Sequence, residues 1–228
     1  MNHVASISSN ISSSSQCTIC DSSSPDLSKR HPISNAIDGT ESWWQSPTLQ
    51  LGKRYEWITI NINLRQVYEV AYVVMKSAIS PLPDNWILER SMDGITYQPW
   101  QYFARSDTEC WERFRVRPTI GKVRYRSDDE VICTSFYAKN DQLTNGEVHV
   151  SLVNGRPGAE DSSGTISYSL REFTKAQHVR LRFQKIRSFH GSLLYDPNDL
   201  DKADKTLTRR VSFIFGFLFS YFRLFLCV

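Results

Sequence analysis

A strong excess of either charge is lacking in this chain. Across 228 residues, 27 Lys and Arg stand against 24 Asp and Glu, leaving a formal net charge of +3. That excess is too small to imply nucleic acid by itself, and no nucleic-acid recognition motif accompanies it. Catalytic signatures are lacking too. The five histidines are scattered, and none sits in H-E-x-x-H. Neither G-x-S-x-G nor a P-loop occurs, so an enzyme is not expected. Asp196 to Asp201 opens like an EF-hand loop and then fails. Leu200 fills the fifth position, Asp201 replaces the sixth-position Gly and Leu207 replaces the twelfth-position Glu. Internal repeats are absent. Met1 to Gln16 is rich in Ser and holds no apolar run of the kind a secretory signal needs.

Cysteine is present but sparse, at positions 17, 20, 110, 133 and 227. Cys17 and Cys20 form a C-x-x-C pair, which fits zinc, redox chemistry or half of a disulfide set. Zinc needs four ligands, and no second pair completes the site. A thioredoxin-like centre needs a βαβ setting, whereas this chain reads as β.

What is abundant is short alternation. In Trp57 to Leu64, residues Ile58, Ile60, Ile62 and Leu64 point one way while Thr59, Asn61 and Asn63 point the other, the mark of a half-buried strand. Val67 to Met75 is apolar at nearly every position and predicts a strand covered on both faces. Pro81 and Pro83 interrupt the chain. Trp86 to Ser91 resumes as a strand, and Asp93-Gly94 predicts a hairpin turn. Glu147 to Val153 alternates again, and Val179, Leu181 and Phe183 alternate with Arg180 and Arg182. A short helix is expected near Leu170 to Ala176. Many short strands and turn signals in one chain of this length predict one large all-β domain, an antiparallel β-sandwich or jelly roll with long loops.

Two patterns suggest binding. Asn35-Ala36-Ile37-Asp38-Gly39-Thr40-Glu41-Ser42-Trp43-Trp44-Gln45-Ser46-Pro47 combines an Asp-Gly turn, clustered side-chain oxygens and adjacent tryptophans. Hard oxygens at that density suit Ca²⁺; a plain turn capped by Asp38 and anchored by Trp is the simpler reading. Arg113, Arg115 and Arg117 alternate with Phe114 and Val116, which predicts three cations on one strand face. Arg180, Arg182, Lys185 and Arg187 form a second basic group. Guanidinium groups match sulfate and carboxylate bidentately; a solubilising surface explains them equally well. Asp128-Asp129-Glu130 reads as a solvated turn.

The Asn35–Pro47 run also resembles the laminin N-terminal (LN) domain. Further blocks agree in order: Pro83 to Ser91, Pro99-Trp100-Gln101-Tyr102, Asp107-Thr108-Glu109-Cys110, Asp128 to Ser135, Asn145-Gly146-Glu147, Asn154-Gly155-Arg156-Pro157 and Val179 to Phe183. The resemblance runs from Cys17 to about Arg210 and is nearest to laminin alpha chains of the alpha-one/alpha-two type. It implies a galactose-binding-like sandwich, secretion, and a place in the extracellular basement membrane. It implies cell adhesion and tissue-morphogenesis roles, with calcium-assisted assembly through the N-terminal domains of laminin beta and gamma chains. It implies Ca²⁺ ligands at Asn35, Asp38, Thr40 and Ser42, and a polymerisation surface at Leu143, Asn145, Gly146 and Glu147. The family is rich in disulfides, so Cys110 and Cys133 are expected to pair, a closure worth roughly 3 kcal/mol. LN domains of alpha chains bind sulfated glycans or sulfatides, which would fall to Arg113, Arg115, Arg117, Arg180 and Arg182. Heparan sulfate, sulfatide or an integrin are thus further expected partners, and a netrin-like glycan or receptor module is the second expected function.

The ends depart from that pattern. Residues 1–16 read as a Ser-rich, non-homologous segment, with a glycosylation sequon at Asn10-Ile11-Ser12. Residues 211–228 form an almost wholly apolar tail interrupted by Arg223. A tail anchor, a rewired strand or translated non-coding sequence would each explain it; the abrupt switch after Arg210 favours the last. A truncated product with no function of its own is the third reading.

Overall fold

The computed structural model describes residues 4–7, 25–27, 30, 32–37, 44–45, 57–77, 83–139, 147–159, 165–186 and 214–216. Its strands are β1 (Val4–Ile7), β2 (Trp44–Gln45), β3 (Trp57–Glu69), β4 (Tyr72–Ser77), β5 (Pro83–Ser91), β6 (Gln98–Phe103), β7 (Ile132–Thr134), β8 (Glu147–Ser151), β9 (Lys175–Ile186) and β10 (Ile214–Gly216). Three short helices join them: α1 (Asp107–Phe114), α2 (Phe136–Lys139) and α3 (Tyr168–Thr174). The strands form a six-stranded sheet ordered β1-β3-β9-β5-β6-β7 and a four-stranded sheet ordered β2-β10-β4-β8. Every described pairing between strands is antiparallel except β6 with β7.

The two sheets enclose one core. Ile58, Ile60, Ile62, Leu64, Trp86, Leu88, Trp100, Val179, Leu181 and Phe183 enter it from the larger sheet, and Trp44, Val73, Met75, Val148 and Val150 from the smaller. This is the expected β-sandwich: period-2 alternation delivers every second side chain to the shared interior. Burying each large apolar side chain contributes about 1.5–3 kcal/mol. Trp100 is wholly buried, and its Nε1–H finds an acceptor in the Phe173 carbonyl at 2.7 Å. The Asp93-Gly94 turn lies between β5 and β6 as expected.

Three sequence expectations change. Residues 67–75 are not one doubly covered strand. β3 ends at Glu69, β4 begins at Tyr72, and Val67 is exposed. A register shift between Asn63 and Tyr68 precedes that end, where Arg65 takes φ 72° and donates its N–H to Asn63 Oδ1 at 2.7 Å. The strand expected from Trp86 already begins at Pro83, a first position where a residue without an N–H is tolerated.

The third change concerns Arg113, Arg115 and Arg117, which do not alternate on a strand. Arg113 lies in the last turn of α1, Arg115 ends that helix at φ 57°, and Arg117 follows in an exposed loop. The helix wins because Ser106 caps it, accepting from the Glu109 N–H at 3.2 Å. Asp107 and Glu109 also place negative charge at its N-terminus.

Within the apolar tail, Ile214–Gly216 pairs with both β2 and β4. β1 falls within the Ser-rich segment and pairs with β3.

Candidate functional site

β9 carries the outer face of the larger sheet. Because Val179, Leu181 and Phe183 point into the core, His178, Arg180, Arg182 and Gln184 point away from it. Register places Glu89 of β5 opposite Arg180, and Ile87 opposite Arg182. Glu89 takes the Arg180 Nε at 2.5 Å and lies 3.8 Å from Arg182 Nη1. Aromatic rings close both ends: the Arg180 guanidinium sits 3.7 Å from the Tyr97 ring centroid, and that of Arg182 sits 4.6 Å from Trp57. Burial pushes the Tyr97 phenol above its ordinary range, with Arg180 opposing and Glu89 adding to the rise.

α1 brings a third arginine to this face. Arg113 Nη1 donates to Gln184 Oε1 at 2.8 Å while its Nε pairs with Glu109 at 3.2 Å. Three guanidinium groups therefore share two carboxylates, which leaves a modest positive surplus. A short apolar cluster of Ala104, Cys110 and Cys133, flanked by Tyr102, Phe114 and Val116, holds α1 against the sheet. Cys110 and Cys133 are joined there as a disulfide, with Cα atoms 5.7 Å apart.

A second arginine site is buried. Arg156 is 4 % exposed and its guanidinium lies between the rings of Tyr125 (4.0 Å) and Phe173 (4.2 Å). Its Nη1 donates to the carbonyls of Asp128 (2.7 Å) and Glu130 (2.9 Å). Burial pulls this guanidinium below its ordinary value, and Tyr125, Asp128, Glu130 and Asp129 counter that. Asp128 is not a solvated turn residue. It accepts from the Gly158 N–H and the Ser167 hydroxyl, each at 2.6 Å, and the Ser167 bond leads in holding its carboxyl below the usual range. Gly158 is obligatory at this crossing, since a Cβ there would stand 2.1 Å from Ser167 Oγ and 2.5 Å from Asp128 Oδ2.

The loop with clustered oxygens is anchored at both ends. Asn35 lies in a 3₁₀ turn (Ile33–Ala36) and donates its N–H to the Pro32 carbonyl at 2.9 Å; Ala36, Ile37 and Trp44 are buried. Asp38, Thr40 and Ser42 lie outside the described residues, as do Trp43, Asn10, Cys17, Cys20 and Cys227. The proposed donors are carbonyl, carboxylate and hydroxyl oxygens, a set that fits a hard cation such as Ca²⁺. Leu143, Asn145 and Gly146 are likewise outside, while the backbone of Glu147 opens β8 opposite Lys76.

Sequence reasoning missed Glu89, Tyr97 and Trp57 as partners of the arginines, and Arg156 as a buried group. Glu89 carried a signal: it directly follows the apolar run Trp86-Ile87-Leu88 in β5, and a carboxylate buried there needs a cation on the neighbouring strand.

The laminin N-terminal (Domain VI) family matches residues 3–207. Human laminin subunit alpha-1 is 53% identical over 199 residues, covering 86% of this chain and 6% of that protein. Mouse laminin subunit gamma-3 is 28% identical over 191 residues, covering 81% of this chain and 12% of that protein. Among solved structures, CpGH89CBM32-5 from Clostridium perfringens, in complex with GalNAc-beta-1,3-galactose, aligns at TM-score 0.39 and 14% identity, covering 81% of this chain and 86% of that one. The chain thus spans a small part of the curated relatives it matches, and it belongs to the laminin N-terminal domain family.

Proposed function

We propose that this chain is an assembly module of the extracellular matrix, working without catalysis at the tip of a laminin alpha short arm. The observation that carries this reading is the 53% identity to laminin subunit alpha-1 over most of the chain. Its partners are the N-terminal domains of laminin beta and gamma chains, and its place is the basement membrane. Asn35 would offer a main-chain carbonyl, Asp38 a carboxylate, and Thr40 or Ser42 further oxygens to Ca²⁺. The bound ion would add charge and cross-linking to a loop whose two ends are already fixed by the core. Leu143, Asn145, Gly146 and Glu147 are the surface assigned to the partner, with Glu147 the residue to test.

The experiment is sedimentation of the chain with beta and gamma N-terminal domains, with and without Ca²⁺. A heavier complex that needs Ca²⁺ and is lost in Glu147→Lys is the expected result. Unchanged assembly in a Glu147→Lys protein with wild-type circular dichroism refutes the surface assignment. Assembly unaffected by chelation refutes the calcium role.

A second reading is binding of heparan sulfate or sulfatide on the outer face of the larger sheet. Arg113, Arg180 and Arg182 favour it by meeting on one side of β9. Their sharing of Glu89 and Glu109 limits the charge on offer. Elution from heparin below physiological salt counts against this reading.

A further inference from the structure

We propose that Asn154 is a site of spontaneous deamidation, and that the isoaspartyl linkage it yields loosens the Arg156 clamp. Val153 to Arg156 is a tight turn, closed by the Arg156 N–H donating to the Val153 carbonyl at 3.2 Å. Gly155 holds φ +79° at the third position, which a residue with a side chain adopts only under strain. Asn154 and Gly155 are both exposed. The Asn154 N–H is held by Ser151 Oγ at 3.0 Å, which fixes the main chain just before the reacting groups. Asn is among the thermally labile residues, and a following glycine leaves its own amide nitrogen unshielded.

The chemistry needs only water. The Gly155 amide nitrogen attacks Cγ of Asn154, forming an N–Cγ bond. The bond from Cγ to the side-chain nitrogen breaks, and that nitrogen leaves as ammonium, having gained the Gly155 amide proton and one from solvent. The solvent proton is returned when the ring opens, and no electrons are gained or lost. Water then opens the resulting five-membered imide at either carbonyl. One opening gives aspartate with the ordinary backbone. The other gives isoaspartate, in which the main chain runs through Cβ and Cγ and is one methylene longer.

That extra methylene arrives two residues before the most constrained side chain of the region. Arg156 is bonded to two carbonyls and stacked between two rings. Pro157 follows it with a fixed φ, so the chain cannot absorb the added length on that side. Gly158, next in line, is pinned by Asp128. Lengthening the turn therefore pulls Arg156 from between Tyr125 and Phe173.

The test is to age the purified full chain in warm, mildly alkaline buffer. Peptide mapping then separates Asn, Asp and isoAsp at position 154, and the thermal midpoint is measured in parallel. Asn145-Gly146 is a second Asn-Gly pair, so aged Asn154→Gln protein serves as the reference for change elsewhere. The expected result is conversion at Asn154, a fall in Tm that follows the isoAsp fraction, and no such fall in aged Asn154→Gln. Fresh Asn154→Asp, which adds the charge without the methylene, melts like the unaged chain. Persistence of Asn154 while Asn145 converts overturns the site. Conversion without a fall in Tm, or an equal fall in fresh Asn154→Asp, overturns the linkage to the clamp.

Discussion

Arg156 and the Arg180–Arg182 pair use one kind of chemistry at two depths. Each guanidinium lies against an aromatic ring, yet the compensation differs. Arg156, nearly inaccessible, directs its Nη1 to the main-chain carbonyls of Asp128 and Glu130. Arg180 and Arg182 keep a quarter to a third of their side-chain surface in water and share the carboxylate of Glu89. A buried cation paired with neutral dipoles is costly to remove, because the carbonyls would be left without partners. A half-exposed cation paired with a carboxylate is exchangeable, because solvent can replace either member. The first arrangement fixes structure, and the second leaves charge for a ligand.

The sharpest way to break this contrast is Arg156→Ala, which strands two part-buried carbonyls and empties the gap between Tyr125 and Phe173. We expect a loss of about 3–5 kcal/mol in chemical denaturation. A loss no larger than that of Arg182→Ala would erase the distinction between the sites. Gly158→Ala should follow at about 1–3 kcal/mol through overpacking against Ser167 and Asp128, read in the same experiment.

Glu89→Gln tests the other site. Two neighbouring guanidinium groups lose their shared charge, at a cost of about 1–2 kcal/mol to stability. Retention on heparin should rise, because the face gains a net positive charge. Unchanged retention would remove the outer face from consideration as an anion site. Arg182→Ala should cost about 0.5–1 kcal/mol and reduce retention.

The smallest effect concerns pH. Backbone N–H groups of Ile95 and Thr96, then the Ser91 hydroxyl, hold the exposed Asp93 carboxyl down to about 2. A depressed carboxyl contributes stability above its unfolded value near 3.9 and loses it as pH falls toward the folded value. Wild type should therefore show a component of stability that disappears between about pH 4 and 2. Asp93→Asn should lack that component while melting normally in the rest of the curve.

The strands that were legible from sequence share a cause. In 58–64, 148–152 and 179–183 one face is buried and the other wet, so burial repeats every second residue and shows in composition. The 67–75 stretch was misread because its apolar residues run on past Glu69 and conceal where β3 stops, and the bulge ahead of it is made by Arg65 rather than by a glycine. The helix α1 was legible and missed: Ser106-Asp107-Thr108-Glu109 has the S-x-x-E spacing of a capped start, and the structure uses Ser106 in that role. The outer-face cluster was half legible. Alternation placed Arg180 and Arg182 on one side of β9, but nothing local paired them with Glu89 from ninety-one residues away. Arg156 was opaque because its acceptors are main-chain carbonyls, which every residue carries.

One edge of the larger sheet has a further consequence. β7 is three residues long, and beyond it a single parallel bridge pairs Cys133 with Pro118. Thr119 then donates its N–H to the Cys133 carbonyl at 2.8 Å, and the disulfide fastens the same strand to α1. A proline has no N–H to offer an incoming strand, and so short a strand is a poor template for another chain. This edge is therefore closed to growth by backbone pairing. A neighbour approaching along it would meet side chains alone, so any contact made there would be selected by surface shape and charge and would not propagate as a continuous sheet.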